Sequence, residues 1–94
     1  MRSTPRISIF GDTQLPGSIS DLEGAVFVRI EGMGGVTGSG CGPAGWNLDI
    51  EFDSPNAFTA ILDAVLQSLH ENRIDPESVS VAVRGRRRKL LDCL

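Results

Sequence analysis

Between Trp46 and Leu69 the hydrophobic period changes from two residues to three and four, and that switch limits what the chain can fold into. Trp46, Leu48, Ile50 and Phe52 alternate with Asn47, Asp49 and Glu51. This is the pattern of a strand with one face on a core and the other in water. Ser54 then offers a helix N-cap, and Pro55 suits the first helical position, where its missing N–H costs nothing. Phe58, Ile61, Leu62, Val65, Leu66 and Leu69 form a broad apolar stripe opposite Thr59, Asp63, Gln67, His70 and Glu71. The helix is predicted to stop near Asn72, which tolerates the left-handed C-terminal conformation. A one-faced strand followed by a one-striped helix buries both apolar surfaces against each other, which makes a layered fold.

The flanking segments are read in the same way. Arg6 to Phe10 alternates as a short first strand and ends at Gly11-Asp12. Residues 11–24 form a connector punctuated by Pro16-Gly17. Ser20-Asp21-Leu22-Glu23 fits a capping box there, but Gly24 follows at once and leaves room for one helical turn at most. Ala25 to Glu31 reads as the second strand, with Val26, Val28 and Ile30 on one face and Phe27, Arg29 and Glu31 on the other. After Asp75-Pro76 a last strand points Val79, Val81 and Val83 inward, and Ser80, Ala82 and Arg84 outward. The tail beyond Gly85 fits either a short edge strand or a final helical turn whose leucines dock on the body.

The expected order is therefore β-β-β-α-β. It describes an α+β two-layer sandwich, a four-stranded, mainly antiparallel sheet with one long helix on one face. The order resembles a ferredoxin-like sandwich whose first helix has been replaced by the 11–24 connector. That resemblance is of architecture alone, and the architecture hosts many unrelated functions. The helix-free face is expected to carry Phe27, Arg29, Glu31, Asn47, Asp49, Glu51, Ala82 and Arg84.

Ninety-four residues suit a single domain over 1–94. A chain of this size buries roughly 60–65% of its unfolded surface. Its 40% hydrophobic and 22% charged composition is that of an ordinary globular protein. No stretch approaches the roughly 18 apolar residues of a membrane span, and residues 1–10 lack a signal-peptide core. Two cysteines, Cys41 and Cys93, are too few for a disulfide framework, so a reduced, cytoplasmic setting is expected, with one Cys41–Cys93 bridge left open. The net charge of −3 conceals an asymmetry. Residues 1–82 hold four positive and eleven negative side chains, whereas residues 83–94 hold five positive and one negative. An acidic body with a basic end suits an electrostatic partner or a tail lying on its own acidic surface.

Four constellations invite chemistry. Seven of the fourteen residues from Gly32 to Gly45 are glycine, against eleven in the whole chain, and the stretch reads as a long loop between neighbouring strands. A phosphate cradle is disfavoured, because the loop has no lysine and opens a strand rather than a helix. Cys41 is a candidate nucleophile only if His70, the sole histidine, reaches it as a base. As a partner-binding loop the stretch would use Met33, Val36 and the adjoining Trp46. Asp49, Glu51 and Asp53 set carboxylates in a row along one strand face, which solubilises the sheet rather than converging on a metal. The run Arg84-Gly-Arg86-Arg87-Arg88-Lys89 has the donors to grip phosphates. Against a nucleic-acid role stand an isoelectric point near 4.9 and a sheet poor in aromatics.

These features favour a small non-enzymatic protein-binding module of the inhibitor, immunity or regulatory-subunit kind. Its contacts would be Phe27, Arg29, Met33, Val36, Trp46, Asp49 and Glu51, and its partner another protein. Two alternatives remain: nucleic-acid binding through Arg84, Arg86, Arg87, Arg88 and Lys89, and a small cysteine enzyme using Cys41. No cofactor, metal or membrane association is expected. Open sheet edges leave a homodimer as an even alternative to a monomer.

Overall fold

A computed structural model describes residues 5–94. The elements are β1 (Arg6–Gly11), α1 (Ile19–Ile30), β2 (Gly34–Gly42), β3 (Gly45–Phe52), α2 (Phe58–Glu71), β4 (Val79–Val83) and β5 (Arg86–Lys89). The fold is α+β, one antiparallel five-stranded sheet in the order β2-β3-β1-β4-β5 with two α-helices.

The two-period switch at β3 and α2 is realised as expected. Trp46, Leu48, Ile50 and Phe52 are all buried, and so are Ile61, Leu62, Val65 and Leu69. Ser54 accepts a hydrogen bond from the Asn56 amide, and Pro55 opens a short 3-10 turn that leads into α2. At the far end Asn72 caps the helix, but the left-handed position falls on Arg73 (φ 61°) rather than on Asn72. The Ile74 amide reaches back to the Leu69 carbonyl and the Arg73 amide to the His70 carbonyl. Those two bonds are the Schellman pattern, and Ile74 is buried beside them.

The segment 25–31 departs from the strand expected of it. It is the second half of α1, which begins at Ile19 behind Ser18, whose hydroxyl accepts from the Asp21 amide. The cap is Ser18, not Ser20, and Gly24 lies exposed inside the helix instead of ending it. Val26, Val28 and Ile30 do alternate, but Leu22, Val26 and Ile30 also recur at four-residue spacing, and the helix buries that set completely. Val28 is left 68% exposed. The connector thus leads into a first helix rather than replacing one.

The glycine-rich stretch is also corrected. Gly34–Gly42 is a nine-residue edge strand, joined to β3 by a two-residue turn at Pro43-Ala44. A bulge lies between Val36 and Gly38. Gly34 is required by close approach, since a Cβ there would stand 2.2 Å from the Glu51 carbonyl oxygen. Gly11 is required because the Trp46 indole lies across it, 2.0 Å from where a Cβ would be.

Beyond β4 both readings of the tail hold. Arg86–Lys89 is an edge strand, and Leu90–Cys93 makes a 3-10 turn that buries Leu90 completely. Among the described residues, five strands and two α-helices therefore replace the expected four and one.

Candidate functional site

The helix-free face of the sheet is set by strand register. Residues opposite one another on paired strands share a face, so Arg6, Ser8 and Phe10 of β1 lie beside Glu51, Asp49 and Asn47 of β3. Ala82 and Ser80 of β4 continue the row, followed by Arg87 and Lys89 of β5. Of the eight residues expected here, Asn47, Asp49, Glu51 and Ala82 are present. Phe27, Arg29 and Glu31 belong to the helix layer, and Arg84 sits in the β4–β5 turn.

The polar groups of this face are largely engaged. The Ser8 hydroxyl donates to Asp49 at 2.7 Å, and Arg6 pairs with Glu51 at 3.1 Å. Phe10 is the aromatic of the face, and Arg87 stacks over its ring at 4.5 Å. The same guanidinium donates to Ser80 at 2.8 Å and reaches Asp12 at 3.4 Å. Phe10 was legible as outward-facing, because it alternates with Ile7 and Ile9, both of which are buried. Its partner Arg87 was not, because β5 and its register depend on tertiary pairing.

The sheet's two edges differ in chemistry. β5 carries a charge at each of its four positions, while β2 carries none along its nine. The outward positions Gly38 and Gly40 have no side chains, and Asp49 and Asn47 of β3 lean toward them. On the helix side Ser39 hydrogen-bonds Glu23 of α1. Phe27 follows Glu23 by one helical turn, so it flanks the same edge, and it is 54% exposed. Val36 and Met33 are half-buried and pack on the core beneath. Helical spacing therefore puts Phe27 on the side of α1 that faces the neutral β2 edge.

The remaining candidates are dispersed. Trp46 is a buried core residue, so its indole is not offered at the surface, and its Nε1 has no hydrogen-bond partner. Arg29 donates to the Ala25 carbonyl and pairs with Glu71 at 2.5 Å, tying α1 to α2. Cys41 and Cys93 are free thiols, so the bridge left open by the sequence is absent. Cys41 is exposed at the far end of β2, and no hydrogen bond joins it to His70 in the last turn of α2. No group of three or more metal-ligating side chains gathers among the described residues. No described helix is long and apolar enough to cross a membrane.

Strand alternation divides the basic run. Arg87 and Lys89 join the open face, while Arg86 and Arg88 lie opposite Val83 and Val81 on the other side. The run therefore does not act as one patch. No family model, curated protein or solved structure matches the chain.

Proposed function

We propose that this chain is a small protein-binding module that takes an extended segment of its partner along the free edge of β2, beside Phe27. The carrying observation is the contrast between the edges. Natural sheets protect an open edge with charge, proline or short length. β5 is both short and fully charged, whereas β2 is nine residues long and holds neither charge nor proline, its one protective feature being the bulge between Val36 and Gly38. An edge without charge presents a row of backbone donors and acceptors to an incoming strand, and side-chain pockets beside it supply selectivity. Phe27 is exposed on the helix side, where it would contact a side chain that such a strand turns toward the helices.

The β-α-β-β-α-β portion has the layout of a ferredoxin-like sandwich. Such a frame carries many functions, so the reading rests on the edge and not on the architecture. An inhibitor, an immunity-type protein or a regulatory subunit would each use an edge in this way. Asp49 and Glu51 are engaged by Ser8 and Arg6 and would act as rim charges, setting association rate and salt dependence more than affinity.

The test compares native-lysate capture by the wild type, Phe27→Glu, Thr37→Lys and the control Leu91→Glu, followed by hydrogen exchange on the purified complex. The expected result is one protein held by wild type and control, lost with Phe27→Glu and Thr37→Lys, and protecting the amides of residues 34–42. Capture indifferent to both β2-side variants, or protection confined elsewhere, refutes the reading.

A further inference from the structure

From the end of β3 and the start of α2 to the β4–β5 hairpin runs an open groove. One section is walled by Phe52, Phe58 and Val83, and the next by Val83, Arg84, Arg86 and Arg88. Val83 and Arg84 belong to both sections, so the groove is continuous and polarised, apolar at one end and cationic at the other. Arg6 at the apolar end is neutralised by Glu51 at 3.1 Å. Arg84, Arg86 and Arg88 have no carboxylate within ion-pair distance among the described residues.

Arg84 holds its place against its backbone preference. It and Gly85 form the two-residue β4–β5 turn with φ values of 51° and 81°. Positive φ at both positions belongs to the type I′ hairpin turn, whose first position favours asparagine, aspartate or glycine. A long cationic side chain there is strained. Local rules are broken at functional or strained sites, and Arg84 makes no ion pair among the described residues that would offset the strain.

We propose that this groove binds an extended acidic segment of a partner protein, with an apolar side chain against Phe52 and Phe58 and carboxylates against Arg84, Arg86 and Arg88. Arg86 and Arg88 are two residues apart on one strand face, about 6–7 Å, which matches carboxylates at alternate positions of an extended chain. Guanidinium forks suit such carboxylates bidentately. The groove is open along its length, so a small amphiphile would remain half in water, whereas an extended chain reaches both its apolar and its cationic section. Its cationic section lies across the sheet from β2, and it does not rest on the β2 reading.

The probe is a labelled peptide with two phenylalanines followed by three glutamates at alternate positions, titrated by fluorescence polarisation and mapped by amide chemical shifts. Arg84→Asn separates function from folding, because asparagine suits the turn. We expect Arg84→Asn to raise the melting midpoint by about 3–5 °C. We also expect it to weaken the peptide at least about tenfold, as one lost charge-assisted contact would. Replacing the glutamates by glutamine, or Phe58 by alanine, should weaken binding further, with shifts centred on residues 83–88. Unchanged affinity in Arg84→Asn overturns the proposal. So does binding to phosphatidylserine vesicles or single-stranded RNA in preference to the peptide, or shifts that lie away from the groove.

Discussion

Val26 and Val28 separate the helical from the extended form of residues 25–30 by two substitutions of identical chemistry. In a strand both would face the core. In α1, Val26 is completely buried, whereas Val28 is 68% exposed. Val26→Ala removes two methyl groups, about 1.6 kcal/mol at ~0.8 kcal/mol per buried CH2. The cavity left behind, at ~24 cal/mol per Å3, raises the loss to about 2–2.5 kcal/mol. Val28→Ala exposes nothing new and substitutes a better helix former, so stability should stay level or rise by ~0.5 kcal/mol. Urea unfolding followed by circular dichroism measures both. With a slope of ~2 kcal/mol/M, Val26→Ala should lower the midpoint by about 1 M, and Val28→Ala should leave it in place or raise it slightly. Equal losses at the two positions would refute the helix, and with it the placement of Phe27 beside β2.

Other substitutions read further parts of the fold. Gly24→Ala should stabilise by about 0.5–1 kcal/mol, because the site is exposed mid-helix and a Cβ there meets nothing within 4 Å; thermal melting checks it. Gly11→Ala should destabilise by roughly 1–3 kcal/mol or more, since the new methyl collides with the Trp46 indole; quenched or shifted tryptophan fluorescence should accompany the loss in a urea titration. Arg73→Gly should gain about 1 kcal/mol by relieving the left-handed φ at the α2 terminus, seen as a higher melting midpoint. Leu90→Ala should cost about 2–5 kcal/mol, the range for truncating a fully buried leucine, and hydrogen exchange should show the β5 amides losing protection first.

What the sequence revealed follows from how local each signal was. β3, α2 and β4 were legible because each carries a complete apolar period and its own caps or turns within about a dozen residues. Segment 19–30 carried two periods at once. Val26, Val28 and Ile30 speak for a strand and Leu22, Val26 and Ile30 for a helix, and only packing on β2 and α2 decides between them. β2 carried almost no period, because its outward residues include Gly38 and Gly40, which have no side chains to declare a face. Glycine depletion in strands argued for a loop, yet the close approach of Glu51 to Gly34 makes glycine the residue that fits. The candidate residues show the same limit. The pairing of Asp49 with Ser8 and of Arg6 with Glu51 depends on β1–β3 register, which is a long-range property.

The charge asymmetry of the chain acquires a different meaning once β5 is in place. Counted along the sequence, Arg84 to Lys89 is one basic block. In the sheet it is cut by the pleat into Arg87 and Lys89 on the open face, and Arg86 and Arg88 above the groove. The first pair has internal work in part, because Arg87 caps Phe10 and reaches Asp12 and Ser80. The second pair, with Arg84, meets no acid of the chain's own within ion-pair distance among the described residues. A tail meant only to neutralise the acidic body would bring those guanidiniums to its carboxylates, and the fold instead gathers them over Val81 and Val83. Under the two proposals above, the edges of the sheet would take partners of different chemistry. β2 offers backbone and an aromatic with Asp49 and Glu51 only at the rim, and β5 offers charge over an apolar floor, so raising ionic strength should weaken binding at β5 more than binding at β2.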